Sequence, residues 1–174
     1  MKYSLIIIYF LSIFSISAQE KFNVFDVARS GTIEQAKILL KTNPSCFNTT
    51  NKEGYSPLTL ACYRNNLQVV KLLIQNGADV NVNSTMGTPL MAAVVKGNFE
   101  IVKILLKNKA QVNQPDNNGT IPIMYAAMFK NYDICKLLIK QDANPDTKDN
   151  QNKSALDYAI LADDDQLVKI LKTK

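Results

Sequence analysis

One internal repeat restricts the fold of this chain more than any other feature. Pro57, Pro89 and Pro122 stand 32 and 33 residues apart, and Ala155 stands another 33 residues on. Ala61, Ala93, Ala126 and Ala159 mark a small-residue column with the same steps, and Leu73, Leu105, Leu138 and Leu171 mark a large apolar one. A fixed period of this size is the signature of a solenoid, in which no unit buries its apolar face alone and stacked neighbours make the core. An earlier copy, FDVARSGTIEQAKILL from Phe25 to Leu40, lacks the proline. The expected organisation is therefore five units, at about 23–50, 51–82, 83–115, 116–148 and 149–172, in one domain spanning 19–174.

Within a unit the local chemistry predicts two short helices. In TPLMAAVVKGN, Thr88 to Asn98, the threonine can cap a helix whose first residue is proline. The missing proline N–H costs nothing there, because that position has no helical partner. Gly97 stops the helix. A helix this short is marginal alone in water, so neighbours must bury its alanines. The second unit predicts an inner helix over 56–64, an outer helix over 67–75 and then a polar turn. The fold class expected is all-α, with the alanine column letting inner helices lie close and the outer-helix leucines filling the space behind.

These columns resemble the ankyrin repeat, whose pattern is a turn with Asp and Gly, then Thr-Pro-Leu-His, paired alanines, Gly, Ile-Val, leucines and Gly-Ala-x-x-Asn. Here Asn51-Lys52-Glu53-Gly54-Tyr55-Ser56-Pro57-Leu58 opens one copy, and Val69-Val70-Lys71-Leu72-Leu73 with Gly77-Ala78-Asp79-Val80-Asn81 closes it. The match covers about 23–172. Thr59, Met91, Met124 and Asp157 replace the motif histidine, and Lys109 and Asp142 stand where glycine is usual. The resemblance implies an ankyrin solenoid of about five helix-turn-helix units that holds a protein partner on its concave face. That face is formed by the inner helices just after the alanines and by the turn tips. Carried onto this sequence, the implied partner-binding residues are Tyr63 and Arg64, Val95 and Lys96, Met128 and Phe129, and Leu161, with Tyr55 and Met86 at the turns.

Other classes of function fit less well. The sequence has no histidine, which removes the commonest general base and the usual zinc ligand. It also has no Gly-rich phosphate loop and no metal-ligand cluster, so we expect no catalytic residues, no cofactor and no metal. Asp163-Asp164-Asp165 falls at the break between the last two helices, where acidic residues meet unpaired N–H groups, and is read as a cap rather than a calcium site. The triplets beginning at Asn48, Asn83, Asn118 and Asn152 fit glycosylation acceptors, but are read as turn chemistry in a chain rich in Ile, Lys and Asn, like proteins of AT-rich bacterial genomes. No dense arginine or aromatic-basic patch points to nucleic acid. Lys37, Lys71, Lys103, Lys136 and Lys169 recur along the outer helices and offer an alternative reading, a passive envelope protein that meets anionic surfaces with its convex back. Against it, Glu34, Glu100 and Asp133 each precede a ladder lysine by three residues, the spacing of a local ion pair.

Cys62 and Cys135 occupy columns otherwise apolar and are expected in the core. Cys46, in the first turn region, is expected to be an exposed free thiol. Three cysteines are an odd number for an exported chain, so disulfides are not the main staple.

Export itself is expected from residues 1–18. Lys2 is a basic start, Leu5 to Ile16 is almost wholly apolar, and Ser15 to Ala18 supplies small residues before the polar Gln19. The run is shorter than the roughly 20 apolar residues a spanning helix needs. The expected product is a periplasmic or secreted monomer without stable membrane insertion. Its formal charge is only +4, from 19 basic and 15 acidic residues once Lys2 is removed. Mass analysis of the N-terminus of the exported protein should find Gln19 first, whereas recovery of Met1 would favour an uncleaved anchor.

Overall fold

A computed structural model of the chain describes residues 22–84 and 87–173; the signal segment assigned to 1–18, its cleavage before Gln19, and Met86 lie outside the described residues. Among the described residues the chain is helical. Five helix pairs follow one another: α1 (Val24–Ser30) with α2 (Ile33–Thr42), α3 (Pro57–Tyr63) with α4 (Leu67–Gln75), α5 (Pro89–Val95) with α6 (Phe99–Lys107), α7 (Pro122–Met128) with α8 (Tyr132–Ile139), and α9 (Ala155–Leu161) with α10 (Asp165–Leu171). A 3-10 turn, η1 (Pro44–Asn48), leads from the first pair to the second.

The caps forecast by the repeat set where the inner helices start. Pro57, Pro89 and Pro122 open α3, α5 and α7. Ser56 Oγ accepts from Thr59 N at 3.1 Å, Thr88 Oγ1 from Met91 N at 3.3 Å, and Ser154 Oγ from Asp157 N at 3.1 Å. Each occupies an otherwise orphaned donor of the first turn. Asp164, in the acidic triplet, accepts from Leu167 N at 3.0 Å and caps α10, while Asp163 makes the left-handed turn ahead of it with φ 51°.

Neighbouring inner helices pack directly on one another, α1 on α3, α3 on α5, α5 on α7 and α7 on α9. Ala61, Ala93, Ala126 and Ala159 have no exposed surface, and neither do Leu73, Leu105 and Leu138. Cys62 and Cys135 are fully buried, as their columns require. Cys46 corrects the expectation of an exposed thiol, because it is buried beside the equally buried Phe47. The cause is local: the segment after Pro44 winds into η1, which packs against α2 and α3 and turns both side chains inward. All three cysteines are free thiols.

Unit five closes the stack only in part. Leu171 is buried, but Ile160 is 57% exposed, although Cys62, Val94 and Ala127 in the same column are at most 1% exposed. The column keeps its large apolar residue where no further unit is described to cover it.

Asparagines tie one unit to the next. Asn81 Oδ1 accepts from Gln111 N at 2.7 Å while its Nδ2 donates to Lys109 O at 3.2 Å. Asn113 does the same with Asn144 N at 2.9 Å and Asp142 O at 2.9 Å, and Asn48 with Asp79 N at 3.2 Å and Gly77 O at 3.3 Å. The closing asparagine of the repeat is thus a two-point clamp on the following turn. A second set points backwards: Asn66 Nδ2 donates to Gly31 O and Asn131 Nδ2 to Val94 O, at 3.0 and 3.1 Å.

Two of the clamped turns place a non-glycine residue in the left-handed region, as Asn65, Lys130, Asn152 and Asp163 do elsewhere. Gly77 has φ 80°, and Lys109 and Asp142 hold the same position with φ 66° and 61°. That left-handed region disfavours any residue with a Cβ. An asparagine Nδ2 donates to each of these three carbonyls. Two outcomes are expected in urea unfolding. Asn113→Ala should lower stability by about 1–2 kcal/mol, since two exposed hydrogen bonds are lost together. Lys109→Gly should raise it by up to about 1 kcal/mol, the strain relieved less the added freedom of the unfolded glycine.

Candidate functional site

Because the inner helices lie side by side, equivalent residues on their outer edges form continuous rows. One row runs through Arg29, Tyr63, Val95, Met128 and Leu161, and the next through Arg64, Lys96 and Phe129, which follow directly after their helices. Turns that precede the inner helices rise beside these rows and make the second wall. Together they enclose a cleft of about 530 Å³ over the first four units.

Five of the residues expected at the partner face meet in this cleft: Tyr55 from the turn before α3, Tyr63 and Arg64 at the end of α3, Val95 on α5, and Phe129 after α7. Lys96 stands beside it with Nζ 4.3 Å from the centre of the Tyr63 ring, a cation–π contact that fixes both side chains. Met128 and Leu161 do not line it, although both are solvent-facing. Phe129 is 53% exposed, so its ring is a lip of the cleft and not a filler of the core.

The sequence reading missed the floor and one wall. Leu60, Ala92 and Tyr125 form a further row beneath the first, one helical turn from it, and Asp116 and Asn118 come from the turn before α7. A signal was present: Asp116 and Asp149, and likewise Tyr125 and Tyr158, are 33 residues apart and follow the repeat. Each aspartate binds its tyrosine. Tyr125 donates to Asp116 Oδ2 at 2.7 Å, and Tyr158 to Asp149 Oδ2 at 2.5 Å. Burial first, and then the carboxylate, push both phenols up to about 12, so they remain protonated donors at neutral pH.

Asp116 is fully engaged. Its Oδ1 accepts from Asn118 N at 2.8 Å and Thr120 N at 2.9 Å, which folds the turn, while Oδ2 takes the Tyr125 hydroxyl. The turn is thereby latched to α7 and the wall of the cleft held in place. What the cleft presents to solvent is aromatic and aliphatic surface with cationic groups at one end, which suits recognition of another chain.

On the convex side the lysine ladder is exposed but partly neutralised. Lys103 pairs with Glu100 and Lys136 with Asp133, each at 3.3 Å.

Comparison with known proteins agrees with this architecture. A family model for ankyrin repeats in three copies matches residues 24–116 and 109–174. An ankyrin repeat protein of Fowlpox virus (strain NVSL), FPV222, is 44% identical over 48 residues, which is 28% of this chain and 6% of that protein. Alpha-latrocrustotoxin-Lt1a of Latrodectus tredecimguttatus is 41% identical over 58 residues, 33% of this chain and 4% of the toxin. The chain thus spans only a small fraction of the length of these relatives, and the likeness is to their repeats. With the family model covering nearly all of the described residues, the chain belongs to the ankyrin-repeat family.

Proposed function

We propose that this protein is a non-enzymatic binding module, exported to the periplasm or beyond the cell, that holds a protein partner in the concave cleft as a scaffold, stabiliser or inhibitor. Ankyrin repeats generally mediate contacts between proteins. The observation that carries the reading for this chain is the half-exposed Phe129 at the lip of a cleft already lined by Tyr55, Tyr63 and Val95. An aromatic side chain left open beside apolar neighbours adds nothing to the core, and interface energy tends to concentrate in such anchors. The convex alternative is weaker, since Lys103 and Lys136 already have carboxylate partners. Catalysis has no support in a sequence without histidine whose one cleft carboxylate, that of Asp116, is occupied by three donors.

Phe129→Ala separates docking from packing. Crosslinking in the native envelope fraction, read by mass spectrometry, should show capture by the variant strongly reduced. Its melting temperature should hardly move, because the ring is mostly solvated and the loss is well below the about 3–5 kcal/mol of a buried phenylalanine. Unchanged capture with a large drop in melting temperature would sink the reading.

A further inference from the structure

We infer that the segment docked in the cleft carries an aspartate or glutamate side chain close to a large apolar residue, with the carboxylate held by Arg64 and the apolar group seated against Phe129. This rests on the concave docking reading and specifies what it recognises.

Of the twenty basic residues in the chain only Arg29 and Arg64 are arginines, and both line the same cleft. Everywhere else the sequence meets its need for positive charge with lysine. Lysine serves solubility and simple ion pairing equally well, so a surface role does not explain where the arginines stand. What arginine adds is a planar fork of donors that matches a carboxylate at two points and stacks on aromatic rings.

The charge in the cleft is also unbalanced. Arg29 is paired with Asp26 at 3.2 Å on its own helix, and that pair is solvent-exposed. Arg64 is exposed and has no ion pair among the described residues. Lys96 adds a further positive charge beside Tyr63. The acidic group on the opposite wall, Asp116, is already bound by two backbone N–H groups and the Tyr125 hydroxyl, so it does not answer Arg64. Arg64 is therefore the cleft cation without an ion-pair partner among the described residues, while Val95, Tyr125 and Phe129 continue the cleft as largely apolar surface. A carboxylate and an apolar side chain on one partner segment complement the two parts together.

The test selects a random dodecapeptide library on phage against the full chain, then measures the enriched peptides by fluorescence polarisation. Enriched sequences should share Asp or Glu within a few residues of a large aliphatic or aromatic residue. Arg64→Ala should weaken them about 10- to 100-fold, the scale of a charge-assisted hydrogen bond lost. Arg64→Lys should restore only part of that, and added salt should weaken binding to the parent protein more than to Arg64→Ala. Converting the peptide carboxylate to its amide should cost affinity for the parent and little more for Arg64→Ala. Peptides without carboxylates that still lose affinity to Phe129→Ala would overturn the inference and leave the docking cleft standing. Peptides indifferent to both Arg64 and Phe129, or no enrichment at all, would overturn the cleft reading with it. Arg64 is an exposed residue beyond the end of α3, so an unchanged melting temperature for its variants keeps these outcomes readable.

Discussion

The close approach of the inner helices, permitted by alanine, is the constraint on which the rest of the molecule depends. With nothing beyond Cβ at 61, 93, 126 and 159, these helices pack directly against one another and the four side chains are sealed from water. That spacing sets the distance between turns, and so lets a single asparagine in one unit reach two backbone groups of the next. A larger residue in the alanine column would separate the helices, open the clamps and widen the cleft. Stability, register and the shape of the cleft are consequently coupled through one column.

Clamp and strain belong together in the same way. Lysine and aspartate at 109 and 142 adopt a conformation that favours glycine, and Asn81 and Asn113 bind their carbonyls. The closing Asn of the repeat is therefore not a solvated turn residue that happens to recur. Its hydrogen bonds contribute stability to a turn that carries the cost of a non-glycine residue in the left-handed region.

Periodic features were legible in the sequence, and features that depend on one local conformation were not. Proline, alanine and leucine columns recur because each unit solves the same packing problem, so the helix pairs could be read directly from residues such as Pro57 and Leu73. Cys46 could not, since it lies in a connection that winds into a 3-10 turn and has no equivalent among the other described connections. In the cleft, Tyr63, Arg64 and Phe129 were found through the repeat register. Tyr125 was missed although Tyr158 repeats it, because its row is apolar and small in earlier units, at Leu60 and Ala92, and looked like core. The carboxylate that makes the tyrosine tolerable there lies nine residues upstream, in a turn.

The fifth unit combines an open apolar residue with a dense set of polar contacts. It leaves Ile160 open where Cys62, Val94 and Ala127 are buried, so this column gains less from burial there. Among the described residues its carboxylates are held by several charge-assisted bonds. Asp157 is bound by the Lys148 ammonium and by the Ser154 backbone and hydroxyl, in that order of effect, which brings its carboxyl down to about 2. For Asp149 burial opposes ionisation, but the Tyr158 hydroxyl and the N–H groups of Lys153 and Gln151 outweigh it and hold the carboxyl below its ordinary value. Asp164, where units two to four have asparagine, cannot donate backwards; it accepts from Leu167 N, as Asn98 does from Ile101 N, and also from the Tyr132 hydroxyl at 2.8 Å, with Lys130 Nζ at 3.5 Å. Replacing a donor by an acceptor at that one column reverses the direction of the link, so the preceding unit reaches forward to the end unit.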